Sequence, residues 1–345
     1  MMRYIFRSML AAAMAAGLVG CGGARPALHL FTWADYIEPG LIKEFEQANG
    51  CRVVIDTFDS NESMYAKLKA GARGYDIVFP SSYMASVMQK EGLLAPMDHA
   101  LLPNLAHVDR EYLAQLALDK EMKYSVPYML SNSGIAYRKS KVERFEPSWA
   151  MFDRADLAGR MTLMNDMRET MGAALKSLGH SLNTTDEAQI AQARDVVKRW
   201  KRNIAKFDSE QYKPGIASAE FLVVHGYSGD LLQVASEEED VGYAPPKEGT
   251  SVACDDLVIL AGSGQKALAH AFINFLHDPA NAAKNTECVQ FLCPNSASYA
   301  QLPEEIRSNP AIFLPEELRQ KCEVIIDLGQ DNAKYVRAWD QIKAD

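Results

Sequence analysis

The sequence predicts an α/β fold on a mostly parallel sheet, and three observations carry that expectation. From residue 28 onward, short β-branched or apolar runs alternate with runs whose apolar residues recur at helical spacing. The helical runs open on capping residues or proline and close at glycine. The 345 residues are long enough for two domains, and 48% hydrophobic with 23% charged is an ordinary globular composition.

In order, LHLFTW at 28–33 is a short strand, PGLIKEFEQAN at 39–49 a helix stopped by Gly50, and CRVVIDTF at 51–58 a second strand. SNESMYAKLKAG at 60–71 is a capped helix, YDIVFPSS at 75–82 a third strand, and SYMASVMQKEG at 82–92 a helix. This βαβαβ run implies parallel strands, right-handed crossovers and a sheet buried on both faces. Ligands of such sheets sit outside the carboxyl ends of the strands. Trp33-Ala34-Asp35-Tyr36 ends the first strand and Ser81-Ser82-Tyr83 the third, so both polar-aromatic clusters fall on one rim.

A second region runs from about Ser133 to Cys254. RMTLMND at 160–166 is strand-like, RETMGAALKSLG at 168–179 helical, and TTDEAQIAQARDVVKRWKRN at 184–203 a capped helix. EFLVVHGYSG at 220–229 is strand-like and DLLQVAS at 230–236 helical. DDLVILAGSG at 255–264 reads as a strand returning to the first region, followed by a helix, QKALAHAFINFLHD, ended by Pro279.

Ahead of the fold, Arg3 and Arg7 precede an apolar stretch, Met9 to Val19, that is too short for a permanent bilayer span and reads as an export signal. Leu18-Val19-Gly20-Cys21 resembles a bacterial lipobox. Residues 1–20 are then a lipoprotein signal peptide, Cys21 the lipidated mature N-terminus and 21–27 a flexible tether. The alternative is an ordinary cleavage site with an incidental cysteine. With the lipid, the body faces the periplasm and is held to an inner or outer membrane.

A net charge of −9 argues against nucleic acid and permits a cationic ligand. Six cysteines, less a lipidated Cys21, leave an odd number; Cys288 and Cys293 either pair or remain two reduced thiols. No spacing suits a metal site, and no cofactor is expected. Gly262-Ser263-Gly264 lacks the third glycine and the acid of a dinucleotide loop. Gly226-Tyr227-Ser228-Gly229 is one residue short of a nucleophile elbow, and Asp255 disfavours a reactive thiolate at Cys254. Catalysis has no positive sign.

What recurs is a carboxylate beside aromatic or small polar residues: Asp35 with Trp33 and Tyr36, Asp166 and Glu169 in NDMRE, and Asp255. Carboxylates bind ammonium by charge-assisted hydrogen bonds, and ring faces take methylenes and cations, so the pattern suits a flexible organic cation. Each residue also has a plain structural role open to it. Asp35 is equally an N-cap for the helix at Pro39, Tyr83 a packing residue, and Arg168 a salt-bridge partner of Glu169.

TWADYIEPGLIKEFEQANG, FDSNESMYAKLKAG, YDIVFPSSYM, YSVPYMLSNSGIAY, NDMRE and PPKEG together resemble the spermidine/putrescine-binding proteins of bacterial polyamine ABC importers, in order over nearly the whole mature chain. The resemblance implies a two-lobed periplasmic binding protein of type II that closes over one polyamine and serves an ABC permease, without catalysis and as a monomer. It places 28–132 and 256–306 in one lobe, and 133–255 and 307–345 in the other. It implies Trp33 and Tyr36 as ring walls, Asp35 as an ammonium carboxylate, and Ser81, Ser82 and Tyr83 as first-lobe contacts. Asp166 and Glu169 hold the other end, Asp255 is the central anchor, and Ser209 is a further contact. Gln330 and Asp327 are peripheral candidates.

The chain departs from the family in carrying His225 and Ala253 where aromatics are usual, Phe291 where tyrosine is common, and Ala34 for a polar residue. His225 is either a ligand contact or a neutral histidine satisfied within its lobe. A thinner aromatic box bears on which polyamine is preferred. Rival readings are another solute of the same superfamily, a sensor that has lost transport, and an enzyme on the same fold.

Overall fold

The computed structural model describes residues 25–110, 112–115 and 118–344; the export signal and Cys21 lie outside the described residues. β1 (Ala27–Thr32), α1 (Pro39–Asn49), β2 (Arg52–Thr57), α2 (Asn61–Lys69), β3 (Ile77–Val78) and α3 (Ser82–Lys90) follow in the expected order. β2 and β3 both pair in parallel with β1, Ala27 opposite Arg52 and Leu30 opposite Ile77. Pro39 takes the first turn of α1, where its missing N–H costs nothing, and Gly50 closes the helix at φ 59. The cap of α1 is Glu38, whose carboxylate accepts from the amides of Gly40 and Leu41 at 2.8 and 2.7 Å. Asp35 is therefore not the N-cap.

β4 (Ser125–Arg138), a 14-residue strand absent from the expected pattern, leads into β5 (Met161–Leu163), α4 (Met167–Ser177), α5 (Glu187–Lys201) and β6 (Ile204–Phe207). Then come α6 (Tyr212–Ala217), β7 (Val223–Tyr227), α7 (Ser228–Glu237), β8 (Val241–Ala244), β9 (Ser251–Ile259) and α8 (Lys266–Leu276). Pro279 opens a further helix, α9 (Pro279–Val289), capped by Asp278. α10 (Glu304–Arg307), α11 (Glu316–Arg319), β10 (Glu323–Val324) and α12 (Asn332–Ala344) complete the chain.

The sheet order is β2-β1-β3-β9-β4-β7-β5-β6, and it divides along β4. Ser125–Asn132 pair antiparallel with β9, whereas the stretch from Ser133 to Arg138 pairs with β7 and β8. β4 is thus one continuous strand shared by two lobes, and β9 runs back beside it. Each lobe buries both faces of its sheet. In the first, Leu28, Leu30, Leu41 and Phe45 lie in one core while Phe31, Phe58, Met64 and Val78 lie in another, as the period of two along β1 requires. In the second, Trp149, Met171, Val197 and Trp200 lie in one core, with Tyr212, Ile216, Phe221 and Leu231 in the other. Each such side chain withdrawn from water contributes roughly 1.5–3 kcal/mol.

The segment 307–322, expected in the second lobe, packs with the first. Ala311, Ile312 and Leu314 are buried in the core of Leu28, and Asn132 Nδ2 donates to Ala311 O at 2.8 Å. The Arg319 guanidinium lies 4.8 Å from the Tyr112 ring centroid. The crossing comes at β10, which pairs in parallel with Ser251 and Val252; α12 then buries Tyr335, Ala338 and Ile342 in the second lobe. Cys288 is exposed on α9 and Cys293 is buried, and both are free thiols. Among the described residues no helix is long and apolar enough to cross a membrane.

Candidate ligand-binding cleft

Where β9 passes between the lobes, Asp255 stands opposite Met129 of β4 and bridges to Ser81. Its Oδ2 accepts from the Tyr36 hydroxyl and its Oδ1 from Ser81 Oγ, each at 2.6 Å. Ser81 is fixed in turn by Asn61, whose Nδ2 donates to Ser81 Oγ and whose Oδ1 accepts from the Ser81 amide, each at 3.1 Å. The Tyr36 ring is clamped edge-on between Tyr128 and Phe291, at 5.5 and 5.3 Å between centroids. Burial raises the Asp255 carboxyl above the ordinary range, and the two hydroxyls pull it back. Its partners are neutral donors, so among the described residues no cation is bonded to the carboxylate.

A second group of acids lies at the end of β5. Asp166 caps α4, its Oδ1 accepting from the amides of Arg168 and Glu169 at 2.8 and 3.0 Å. Glu169 is buried, and its Oε2 accepts from Ser251 Oγ at 2.6 Å. The Ser251 hydroxyl meets Ser133 Oγ at 2.9 Å. Burial first, then the neighbouring Asp166 charge, push Glu169 up to about 7, against the hydroxyls of Ser251 and Ser133. Burial also raises Asp166, and Glu62 of the first lobe adds to it. Glu62 Oε1 accepts from the Tyr83 hydroxyl at 2.9 Å, so a first-lobe acid faces the second-lobe pair. Burial and then the charges of Glu169 and Asp166 raise the Tyr227 phenol, which ends β7 among these acids.

The Arg168 charge lowers both carboxyls, but its guanidinium is hydrogen-bonded elsewhere. Its guanidinium donates to Ile326 O at 3.0 Å, Leu182 O at 3.3 Å and Asn183 Oδ1 at 2.8 Å, and lies 4.7 Å from the Tyr335 ring centroid. The arrangement is one of preset carboxylates from both lobes beside the rings of Tyr36 and Tyr227, which is chemistry for holding ammonium groups and the methylenes between them. Among the described residues no group of His, Cys, Asp and Glu could hold a metal ion. A surface depression of about 330 Å³ at Met97, Asp98, His99, Glu121 and Lys123 is lined by first-lobe residues only.

The remaining expected residues separate into lining and bracing positions. Trp33 is half-buried with its ring 4.4 Å from that of Phe58. Asp35 occupies a left-handed turn at φ 52, with its side chain 80% exposed, and faces Lys213 of α6 at 4.0 Å. Ser82 is buried and donates to Cys254 O at 3.1 Å, bracing α3 on β9. Ser209 is exposed in the loop between β6 and α6. Phe291 is buried between lobes: a Cβ on Gly229 of α7 would come within 2.2 Å of its ring. Asp327 and Gln330 are exposed, and Asp327 Oδ1 accepts from the Gly329 amide at 2.8 Å in a local turn.

His225 departs from both expectations set for it. It is 0% exposed, paired with Ile135 in the sheet, and edge-on to Trp149 at 4.8 Å between ring centroids. Neither ring nitrogen has a hydrogen-bond partner, and burial lowers its pKa to about 3. It is a neutral core residue two positions behind Tyr227 on the same face of β7. Glu62 was missed, because an acid in the first turn of α2 reads as a helix-dipole partner. Lys213 was missed because nothing local marks a cross-lobe contact.

The model of the bacterial extracellular solute-binding protein family matches residues 40–314. The putrescine/cadaverine-binding protein of Pseudomonas aeruginosa is 34% identical, covering 97% of this chain and 98% of that protein. The spermidine/putrescine-binding periplasmic protein 1 of Haemophilus influenzae is 32% identical over 93% of this chain and 90% of its own length. Among solved structures, the spermidine/putrescine ABC transporter substrate-binding protein PotD of Streptococcus pneumoniae superposes with a TM-score of 0.85 at 31% identity, covering 92% of this chain and 99% of that one. The TpPotD lipoprotein of Treponema pallidum gives 0.82 at 35% identity, with the same coverage of 92% and 99%.

Proposed function

The chain belongs to the bacterial extracellular solute-binding proteins, and from that membership we propose that it captures a polyamine, putrescine or spermidine, between its lobes and delivers it to an ABC permease. One observation carries the ligand class: Asp255, at the lobe junction, is held by the hydroxyls of Tyr36 and Ser81 and by no protein cation. An ammonium placed there gains a charge-assisted bond to a carboxylate already oriented to accept it. Trp33, Tyr36, Ser81, Tyr83 and Glu62 act from the first lobe, and Asp166, Glu169 and Tyr227 from the second. The relatives' printed names support the same ligand class.

Capture works by closure about β4 and β9. An ammonium between Glu62 and Asp166 touches both lobes at once, so it favours the closed state through contacts that an open state lacks. No bond is made or broken. The relatives named periplasmic support an extracytoplasmic location, and the lipoprotein relative supports lipidation at Cys21. The chain acts as a monomer in this reading.

The test is calorimetric titration of the mature protein, stripped of ligand by unfolding and refolding, with putrescine, spermidine, spermine, thiamine and an amino acid mixture. One-to-one binding of a polyamine at about micromolar affinity or tighter is expected. Folded protein that ignores every polyamine would overturn the proposal.

A further inference from the structure

The cleft's acids differ in what answers their charge. Asp255 meets hydroxyls. The Asp166 carboxyl feels Glu62 and the Glu169 carboxyl feels Asp166, both raising, and the one cation named on either is an Arg168 whose guanidinium is bonded elsewhere. Asp35 alone of the expected ligand acids faces a protein ammonium: Lys213 Nζ lies 4.0 Å from its Oδ2. That ammonium is anchored on the second lobe, donating to Gln233 Oε1 at 2.9 Å and lying 3.7 Å from Asp230 Oδ1. Asp230 is fixed by the Tyr212 hydroxyl at 2.5 Å. Lys213 therefore stands on a built platform of α6 and α7 and reaches across to the turn that carries Trp33 and Tyr36.

We propose that Lys213 is a specificity residue: it occupies the Asp35 end of the cleft with the protein's own ammonium, so that the site takes a diamine in preference to a tri- or tetraamine. The inference rests on the polyamine reading. Two stations remain for ligand ammonium groups, Asp255 and the set of Glu62, Asp166 and Glu169. A third ammonium reaching Asp35 meets Lys213 first, and like charges at that spacing repel. Displacing Lys213 would cost it one of its two carboxylate neighbours. Selectivity comes here from a repulsive element, not from an added contact.

The experiment compares dissociation constants for putrescine, spermidine and spermine at low salt in the wild-type protein, Lys213→Gln and Lys213→Arg. The wild type should favour putrescine. Lys213→Gln should raise spermidine affinity relative to putrescine by about tenfold, and adding Asp35→Asn should remove the gain. Lys213→Arg, which keeps the charge, should keep the discrimination. Lys213→Met serves the same purpose should the glutamine variant not fold. An unchanged ratio in Lys213→Gln, an equal gain for all three ligands, or a wild-type preference for spermidine overturns this inference alone. Wild-type protein silent towards every polyamine overturns the functional reading and this inference with it.

Discussion

With an ammonium placed at Glu169, as proposed, ligand binding should be linked to protons, and the size of that link follows from the residue's surroundings. Its side chain is 7% exposed, and burial beside Asp166 lifts it from the ordinary 4.5 to about 7. That interval corresponds to about 3 kcal/mol. In the unliganded protein the folded state holds the proton more tightly than the unfolded state. Stability from this group is therefore greatest below about pH 4.5 and is lost as pH rises to about 7. A bound ammonium reverses the preference, because it favours the ionised carboxylate. Putrescine keeps its charge across this range, as an alkylammonium titrates near 10.4 in lysine. Binding below pH 7 should thus expel a proton, and affinity should climb with pH by up to about tenfold per unit before levelling above pH 7. Titration at pH 6 and pH 8, each in two buffers of different ionisation heat, counts the protons directly. The expectation is close to one proton released at pH 6 and almost none at pH 8, with the pH 6 signal lost in Glu169→Gln. Equal release by wild type and Glu169→Gln, or affinity that falls as pH rises, would refute the placement of an ammonium at Glu169.

Asp255→Asn should weaken polyamine binding by on the order of 2–5 kcal/mol, measured by calorimetry, since an ammonium would be left against a neutral amide; an unchanged constant would remove Asp255 from the site. His225→Leu should raise stability to denaturant by about 1–2 kcal/mol with ligand affinity unchanged, because it replaces two unpartnered buried nitrogens with apolar surface. His225→Trp should instead lose about 1–3 kcal/mol by overpacking against Trp149. Gly229→Ala should hinder closure, because its Cβ meets the buried Phe291 ring; small-angle scattering should show less compaction on adding ligand, and wild-type compaction would mean that the ring gives way freely.

The first lobe was legible because its signals are local. Pro39 and Gly50 bracket α1 at the residues where the helix begins and ends, and Ser60 caps α2. β4 was not legible for a physical reason: it is buried almost end to end, so it shows no alternation, and Pro127 and Gly134 interrupt its propensity. The error over 307–322 has the same root. Ala311, Ile312 and Leu314 carry no period, and only their packing in the core of Leu28 says to which lobe they belong.

The acids of the cleft were legible in kind, and their relations were not. Asp255, Asp166 and Glu169 follow from motif and strand ends, whereas His225 was left open between ligand contact and lobe histidine although the strand itself decides for the core. In VVHGY, Val223, His225 and Tyr227 share a face, and Val223 and His225 are core; only Tyr227 reaches the strand's carboxyl end, where a ligand can meet it. Glu62 and Lys213 matter through distances across the cleft, which no local pattern encodes. Those distances also explain the closing force. Glu62 raises the cost of ionising Asp166, and Asp166 that of Glu169, so on the proposed reading this repulsion across the cleft opposes closure until a cation arrives. On that reading a ligand ammonium would convert the same contacts from repulsive to attractive, so the acids that resist the empty closed state would be the ones that hold the filled one.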